Sequence, residues 1–152
     1  MQKEKEKTSP FSEPHHIGLI VKDINKTVKA LSSLGIGPFE PAPMKNLDDR
    51  EFRGKRVKAN SDVWFAQMGH IKLELVKPLE GESLQRETLE SRGEGVEHLG
   101  FFVDNLWEEV GRLTQKGWKV VASARGPESG GYAFLEAKSG GGIYIELVQP
   151  WE

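Results

Sequence analysis

The chain has 152 residues, the length of one domain or of two small modules sharing a core. Its 21 Lys and Arg against 23 Asp and Glu leave a net charge of −2 without a long block of one sign, which argues against a nucleic-acid-binding surface. The absence of cysteine excludes disulfides, thiolate catalysis and Cys-ligated zinc, and the apolar runs are too short to span a membrane.

Residues 1–14 are charged, lack the apolar core of a secretory signal and read as a disordered tail, as expected of a cytoplasmic protein. A first βαβββ module is expected over 15–80. His16–Val21 is strand-like, with Ile17, Leu19 and Val21 on one face and His16, Gly18 and Ile20 on the other. Asp23 is a natural N-cap for a helix carrying Ile24, Val28, Leu31 and Leu34 on one side, and Gly35 stops it. Further strands are expected at Phe39–Ala42, Val63–Met68 and Ile71–Val76, the last two joined by a Gly69-His70 turn. Pro43–Asn60 is charged, contains glycine and reads as an irregular loop.

A linker over 81–96 holds a short helix, Ser83–Ser91, capped by Ser83. The second module, 97–152, opens with a strand at His98–Val103. Asn105 and Glu108 form a capping-box-like pair before Leu106, Val110 and Leu113, and Gly117 ends that helix. Strands follow at Lys119–Ala122, Tyr132–Glu136 and Ile143–Val148, with a Gly-rich loop over Arg125–Gly131. The glycines at 129–131 and 140–142 lack the spacing and lysine of a phosphate loop and read as turns. Trp107 and Trp118 bracket the second helix as packing residues, and His15, aligned with Glu97, reads as surface.

The two halves repeat each other. HIGLIVKDI at 16–24 matches HLGFFVDNL at 98–106, with His, Gly and Val identical and four apolar exchanges; IKLELVKP at 71–78 matches IYIELVQP at 143–150 at five of eight positions. Strand resemblance accounts for the aliphatic matches but not for His and Glu recurring in register. Alternation puts His16, Glu74, His98 and Glu146 on strand faces opposite the apolar ones, and helices covering the apolar faces would point all four to one concave side. Gly18 and Gly100 share that side and leave room there. Two imidazoles and two carboxylates suit a divalent ion such as Co, Ni, Mn, Zn or Fe, with two positions left for water or substrate.

With these residues the sequence resembles the vicinal oxygen chelate superfamily, the glyoxalase/bleomycin resistance/dioxygenase group, over about residues 15–150. The resemblance implies an α+β fold in which two βαβββ modules form a cupped mixed sheet with helices on its outer face. It implies His16, Glu74, His98 and Glu146 as metal ligands. Within the superfamily the stretches LELVKPLEGESLQRETLESRGEGVEHLGFFVDNL and FLEAKSGGGIYIELVQP are similar to methylmalonyl-CoA epimerases. The implied chemistry is metal-dependent proton abstraction next to a chelated carbonyl, by an epimerase, isomerase or lyase acting on a CoA or glutathione thioester such as methylmalonyl-CoA. Glu146 is the first choice of base and Glu74 the second. The extra carboxylate that epimerases use has no clear match, leaving Asp48, Asp49 and Glu51 as candidates.

Three alternatives stay open. An extradiol-type Fe(II) dioxygenase needs His16, His98 and Glu146 but no acid at 74. A drug-binding resistance protein generally lacks the tetrad, and a structural metal would have a closed shell of protein ligands. A homodimer is expected from relatives. Arg50, Arg53, Lys55 and Arg56 either hold the phosphates of a CoA-like handle or form a solvated loop.

Overall fold

The computed structural model describes residues 9–43, 47, 49–127 and 129–151. Within the expected tail, Pro10–Ser12 forms a 3-10 turn, and Phe11 packs edge-on to Phe101 with ring centroids 5.1 Å apart. In the first half come β1 (His16–Ile20), α1 (Ile24–Ser32), β2 (Glu40–Pro41), β3 (Asp49–Phe52), β4 (Lys55–Arg56), β5 (Ser61–Met68) and β6 (Ile71–Pro78). The linker helix α2 (Leu84–Arg92) leads to β7 (Gly95–Phe102), α3 (Leu106–Gln115), β8 (Lys119–Arg125), β9 (Gly131–Glu136) and β10 (Tyr144–Gln149).

The strands make one sheet in the order β2-β5-β6-β1-β7-β10-β9-β8-β3-β4. Its inner part is duplicated: β1 runs parallel to β6, β7 runs parallel to β10, and β1 and β7 meet antiparallel at the seam. The result is the curved mixed sheet of two βαβββ units that the repeats imply. Helix α1 lays Ile24, Val28 and Leu31 over Leu73, Leu75, Ile17 and Leu19, while α3 lays Leu106, Val110 and Leu113 over Phe101, Ala133, Leu135 and Leu147. Burying these apolar faces is the main stabilising term, at roughly 25 cal/mol per Å² removed from water. Trp107 and Trp118 pack against the α3 cluster as expected. Among the described residues no helix is long and apolar enough to cross a membrane.

Several local expectations need correction. Helix α1 ends at Ser32, and Leu34 lies beyond it, 75% exposed. Asn105 accepts from Glu108 N–H at 3.2 Å, but the Glu108 carboxylate pairs with Arg112, so only half of the capping box forms. The strand expected over Phe39–Ala42 is reduced to two residues. Pro43–Asn60 contains the β3–β4 hairpin, which pairs antiparallel with β8 at the far edge of the second half. Its turn is Arg53-Gly54, both with positive φ, as a tight type I′ hairpin requires. Phe52 then joins Leu84, Val121, Phe134, Tyr132 and Tyr144 in a separate apolar cluster.

Candidate metal centre

Sheet register explains why residues far apart in sequence meet. Across the four inner strands, one lateral row reads Glu74, Gly18, His98, Tyr144, and the next reads Lys72, His16, Gly100, Glu146. Each glycine therefore lies between a Glu and a His of its row. The space is taken by imidazole. A Cβ on Gly18 would stand 2.0 Å from Cε1 of His98, and one on Gly100 would stand 2.0 Å from Cε1 of His16. The room foreseen beside the histidines thus seats each ring on the opposite half's glycine, at a centroid separation of 5.3 Å.

His16 Nε2 lies 3.7 Å from Glu74 and 3.4 Å from Glu146; His98 Nε2 lies 3.2 Å and 3.1 Å from the same two carboxylates. One ligand atom from each of the four residues falls within 4.8 Å of all the others, so the group could hold a metal ion. His98 is fully buried, His16 is 3% exposed, and the Glu74 and Glu146 side chains are 12% and 10% exposed.

The donor set fits a divalent cation on two grounds. With both imidazoles neutral, two carboxylates leave a net charge of −2 in a nearly dry site, which a divalent ion cancels. His98 Nε2 also lacks a hydrogen bond of normal geometry although two carboxylate oxygens lie close by, and a buried polar atom left this way is costly without a partner. Protons partly fill the same need. Burial pushes both imidazoles toward neutrality, yet a hydrogen bond with Glu146 and the charges of Glu146 and Glu74 raise His16, and the nearby carboxylates of Glu146, Glu74 and Glu97 raise His98 well above its ordinary value. Glu146 shows the reciprocal effect: burial opposes its charge, but His16 and His98 draw it down to about 2.

The surface reading of His15 is the main revision here, together with the place of Glu97, the residue aligned with it. Glu97 is fully buried and lies 3.1 Å from His98 Nδ1. His15 is half-buried, shares a 2.8 Å hydrogen bond with His16 Nδ1 and stacks on Phe102 at 3.9 Å. Strict alternation hides Glu97, because the β1–β7 register shifts between Gly18 and Leu19 and passes over it. Such a bulge re-aims one side chain. An acid directly preceding a strand histidine was the signal available in the sequence.

Of the extra base candidates, Asp49 and Glu51 lie on β3, outside the four-residue group. Glu51 is exposed on β3, and Asp49 lies 3.6 Å from Arg56. Asp48 falls outside the described residues. In the basic cluster, Arg50 donates to the Leu47 and Ala59 carbonyls, and Arg53 pairs with Glu87. Arg53, Glu87, Arg92, Glu136 and Tyr144 line a polar cleft of about 420 Å³.

Residues 15–135 match the family profile described as the Glyoxalase/Bleomycin resistance protein/Dioxygenase superfamily. The chain belongs to that superfamily. A curated relative, the uncharacterized protein YqjC of Bacillus subtilis (strain 168), is 31% identical over 93 residues, 59% of this chain. The match spans 65% of that relative, just under two thirds of its length. Among solved structures, the methylmalonyl-CoA epimerase of Mycobacterium tuberculosis aligns at a TM-score of 0.68 and 23% identity, covering 95% of this chain and 92% of that one. A variant of the Streptomyces coelicolor methylmalonyl-CoA epimerase, in complex with 2-nitronate-propionyl-CoA, aligns at 0.66 and 22% identity, covering 90% and 96%. At these identities the structural likeness establishes the fold.

Proposed function

We propose that this superfamily member is a divalent-metal-dependent enzyme that removes a proton next to the carbonyl of an acyl-thioester, with epimerisation of a CoA ester as the specific reaction. His16, Glu74, His98 and Glu146 would hold the ion. The observation that carries the reading is their convergence: four donors from four strands, two from each half, with ligand atoms within 4.8 Å of one another. A divalent ion bound there supplies Lewis acidity, which polarises a substrate carbonyl and acidifies the adjacent C–H.

The chain's own groups do the rest. Phe134 and Phe65 flank the histidines, with centroids 5.0 Å from His98 and 6.1 Å from His16, and keep the centre dry. The proton must go to a base within hydrogen-bond reach, and the carboxylates of the centre are Glu146 and Glu74. Family resemblance points to Glu146 first. Glu74, the other carboxylate of the centre, is the second candidate. Return of a proton to the same carbon from the opposite face inverts that centre. The polar handle of a thioester would lie along the Arg53–Arg92 cleft, which Tyr144 joins to the His98 row. Epimerases of the same fold, one of them holding a propionyl-CoA nitronate, support that substrate class.

The test is exchange of substrate α-hydrogen with deuterated water by the metal-loaded protein, across CoA thioesters and 2-oxo acids. Exchange and inversion of methylmalonyl-CoA are expected. A metal-loaded protein that exchanges no thioester would falsify the reading. Glu74→Gln and Glu146→Gln then separate the base from the ligand: the base variant keeps the ion and loses exchange.

A further inference from the structure

Glu97 has no part in the chemistry above, yet it is the most completely buried acid among the described residues, with no exposed surface. We propose that Glu97 is a positioning residue that holds the His98 imidazole, with Nδ1–H bound to its carboxylate and Nε2 presented to the cation. The inference rests on the metal reading of the four-residue centre and deepens it.

The backbone is built for this contact. Neighbouring residues of a regular strand point to opposite faces, and the register shift at that point of β7 re-aims Glu97 toward the ring of His98. With it, Glu97 Oε1 stands 3.1 Å from His98 Nδ1, while the other ring nitrogen stands 3.2 Å and 3.1 Å from Glu74 and Glu146. The ring is thus held from behind by one carboxylate and faces two in front. Gln85 of α2 donates to the same Oε1 at 3.0 Å and ties the support to the linker helix. A neutral imidazole that donates from Nδ1 keeps its Nε2 lone pair free, which is the tautomer a cation needs.

Stability alone does not explain the residue. Glu97 Oε2 has no hydrogen-bond partner, and a half-satisfied buried carboxylate is a poor stabiliser. The equivalent position of the first half makes the contrast: there His15, a neutral-capable ring, backs His16 Nδ1 at 2.8 Å. One ligand is backed by a carboxylate and the other by an imidazole.

Calorimetry with zinc alone on wild type, Glu97→Gln, Glu97→Ala and His98→Ala tests the proposal, with melting of each metal-free protein as the fold control. Removing a carboxylate behind a ligand histidine is expected to weaken zinc binding by roughly 10–100-fold in Glu97→Ala, and by less in Glu97→Gln, with little loss of melting temperature. Histidine ¹⁵N NMR of the zinc-loaded wild type should show a downfield, slowly exchanging Nδ1–H on His98 that Glu97→Ala loses. Wild-type zinc affinity in folded Glu97 variants overturns the proposal and leaves the metal reading standing. If the Ala variant does not fold, Glu97→Gln and the wild-type spectrum decide, and a His98 Nδ1–H that exchanges freely overturns it. A wild type that binds no zinc overturns the metal reading, and this proposal with it.

Discussion

In the first half, the imidazole of His16 lies over Gly100 and is backed by half-buried His15; in the second, His98 lies over Gly18 and is backed by fully buried Glu97. The seats are the same and the supports differ. At the sheet edges the halves diverge further: β2 has two residues and ends the sheet, whereas β8 has seven and receives a hairpin from the other half. Duplication has kept the positions that must meet across the seam, because each ring needs the opposite strand's glycine. It has let the surroundings drift.

The strongest way to break that comparison is at the seats. Gly18→Ala and Gly100→Ala each set a Cβ 2.0 Å from an imidazole carbon, closer than any relaxation of a packed ring absorbs without displacement. Either variant should lose ion uptake and exchange activity almost completely, as measured by calorimetry and deuterium incorporation. Equal losses would establish that the halves are equivalent at the centre. Retention of tight binding in one variant would show that its histidine is dispensable.

A medium effect should appear in pH dependence. The Glu146 carboxylate is lowered from 4.5 to about 2 in the fold, so its contribution is present above about 4.5 and fades as pH falls toward 2. His16 and His98 are raised above 6.5, so theirs is complete below 6.5 and is lost as pH rises through the folded values. From these groups, the metal-free protein should melt highest between about 4.5 and 6.5, falling on either side. A divalent ion displaces the imidazole protons, so zinc should flatten the alkaline fall and bind more tightly as pH rises. Melting curves with chelator and with zinc check both. NMR titration of the metal-free protein should find both His16 and His98 raised above the ordinary imidazole value.

These features were unevenly legible in the sequence. His16, Glu74, His98 and Glu146 stood out because each interrupts an apolar strand and recurs with its half, and a buried charge in such a run needs a partner. The hairpin did not stand out. In Asp49–Arg56 only Phe52 is apolar, since an edge ribbon pairs on one side and buries little, and its one signal was the Arg53-Gly54 turn. Leu34 fitted the helical period yet lies past the end of α1, because periodicity records a face and not the point where the backbone turns. Glu97 was hidden by a register shift, which depends on the partner strand and leaves no mark on local alternation.

The smallest expected effect concerns the crossing hairpin, where the first half reaches the second. Arg53 pairs with Glu87 at 2.7 and 3.0 Å and lies 3.8 Å from Glu136, but its side chain is 40% exposed. Screened pairs of this kind contribute about 0–1 kcal/mol. The hairpin is held chiefly by other means: four residue pairs with β8, the Arg53 N–H bond to the Val121 carbonyl at 2.9 Å, and Phe52 in its apolar cluster. Arg53→Ala should therefore lower the melting temperature by no more than about 4 °C, an effect that 1 M salt reduces. Its φ of 48° adds a second term, because Ala has no preference for that region whereas Asn tolerates it. Arg53→Asn should accordingly melt above Arg53→Ala although both lack the guanidinium. The reverse order would mean that the left-handed turn does not limit this segment's stability, whereas a loss well beyond about 4 °C in both variants would mean that the pair with Glu87 docks it on the second half.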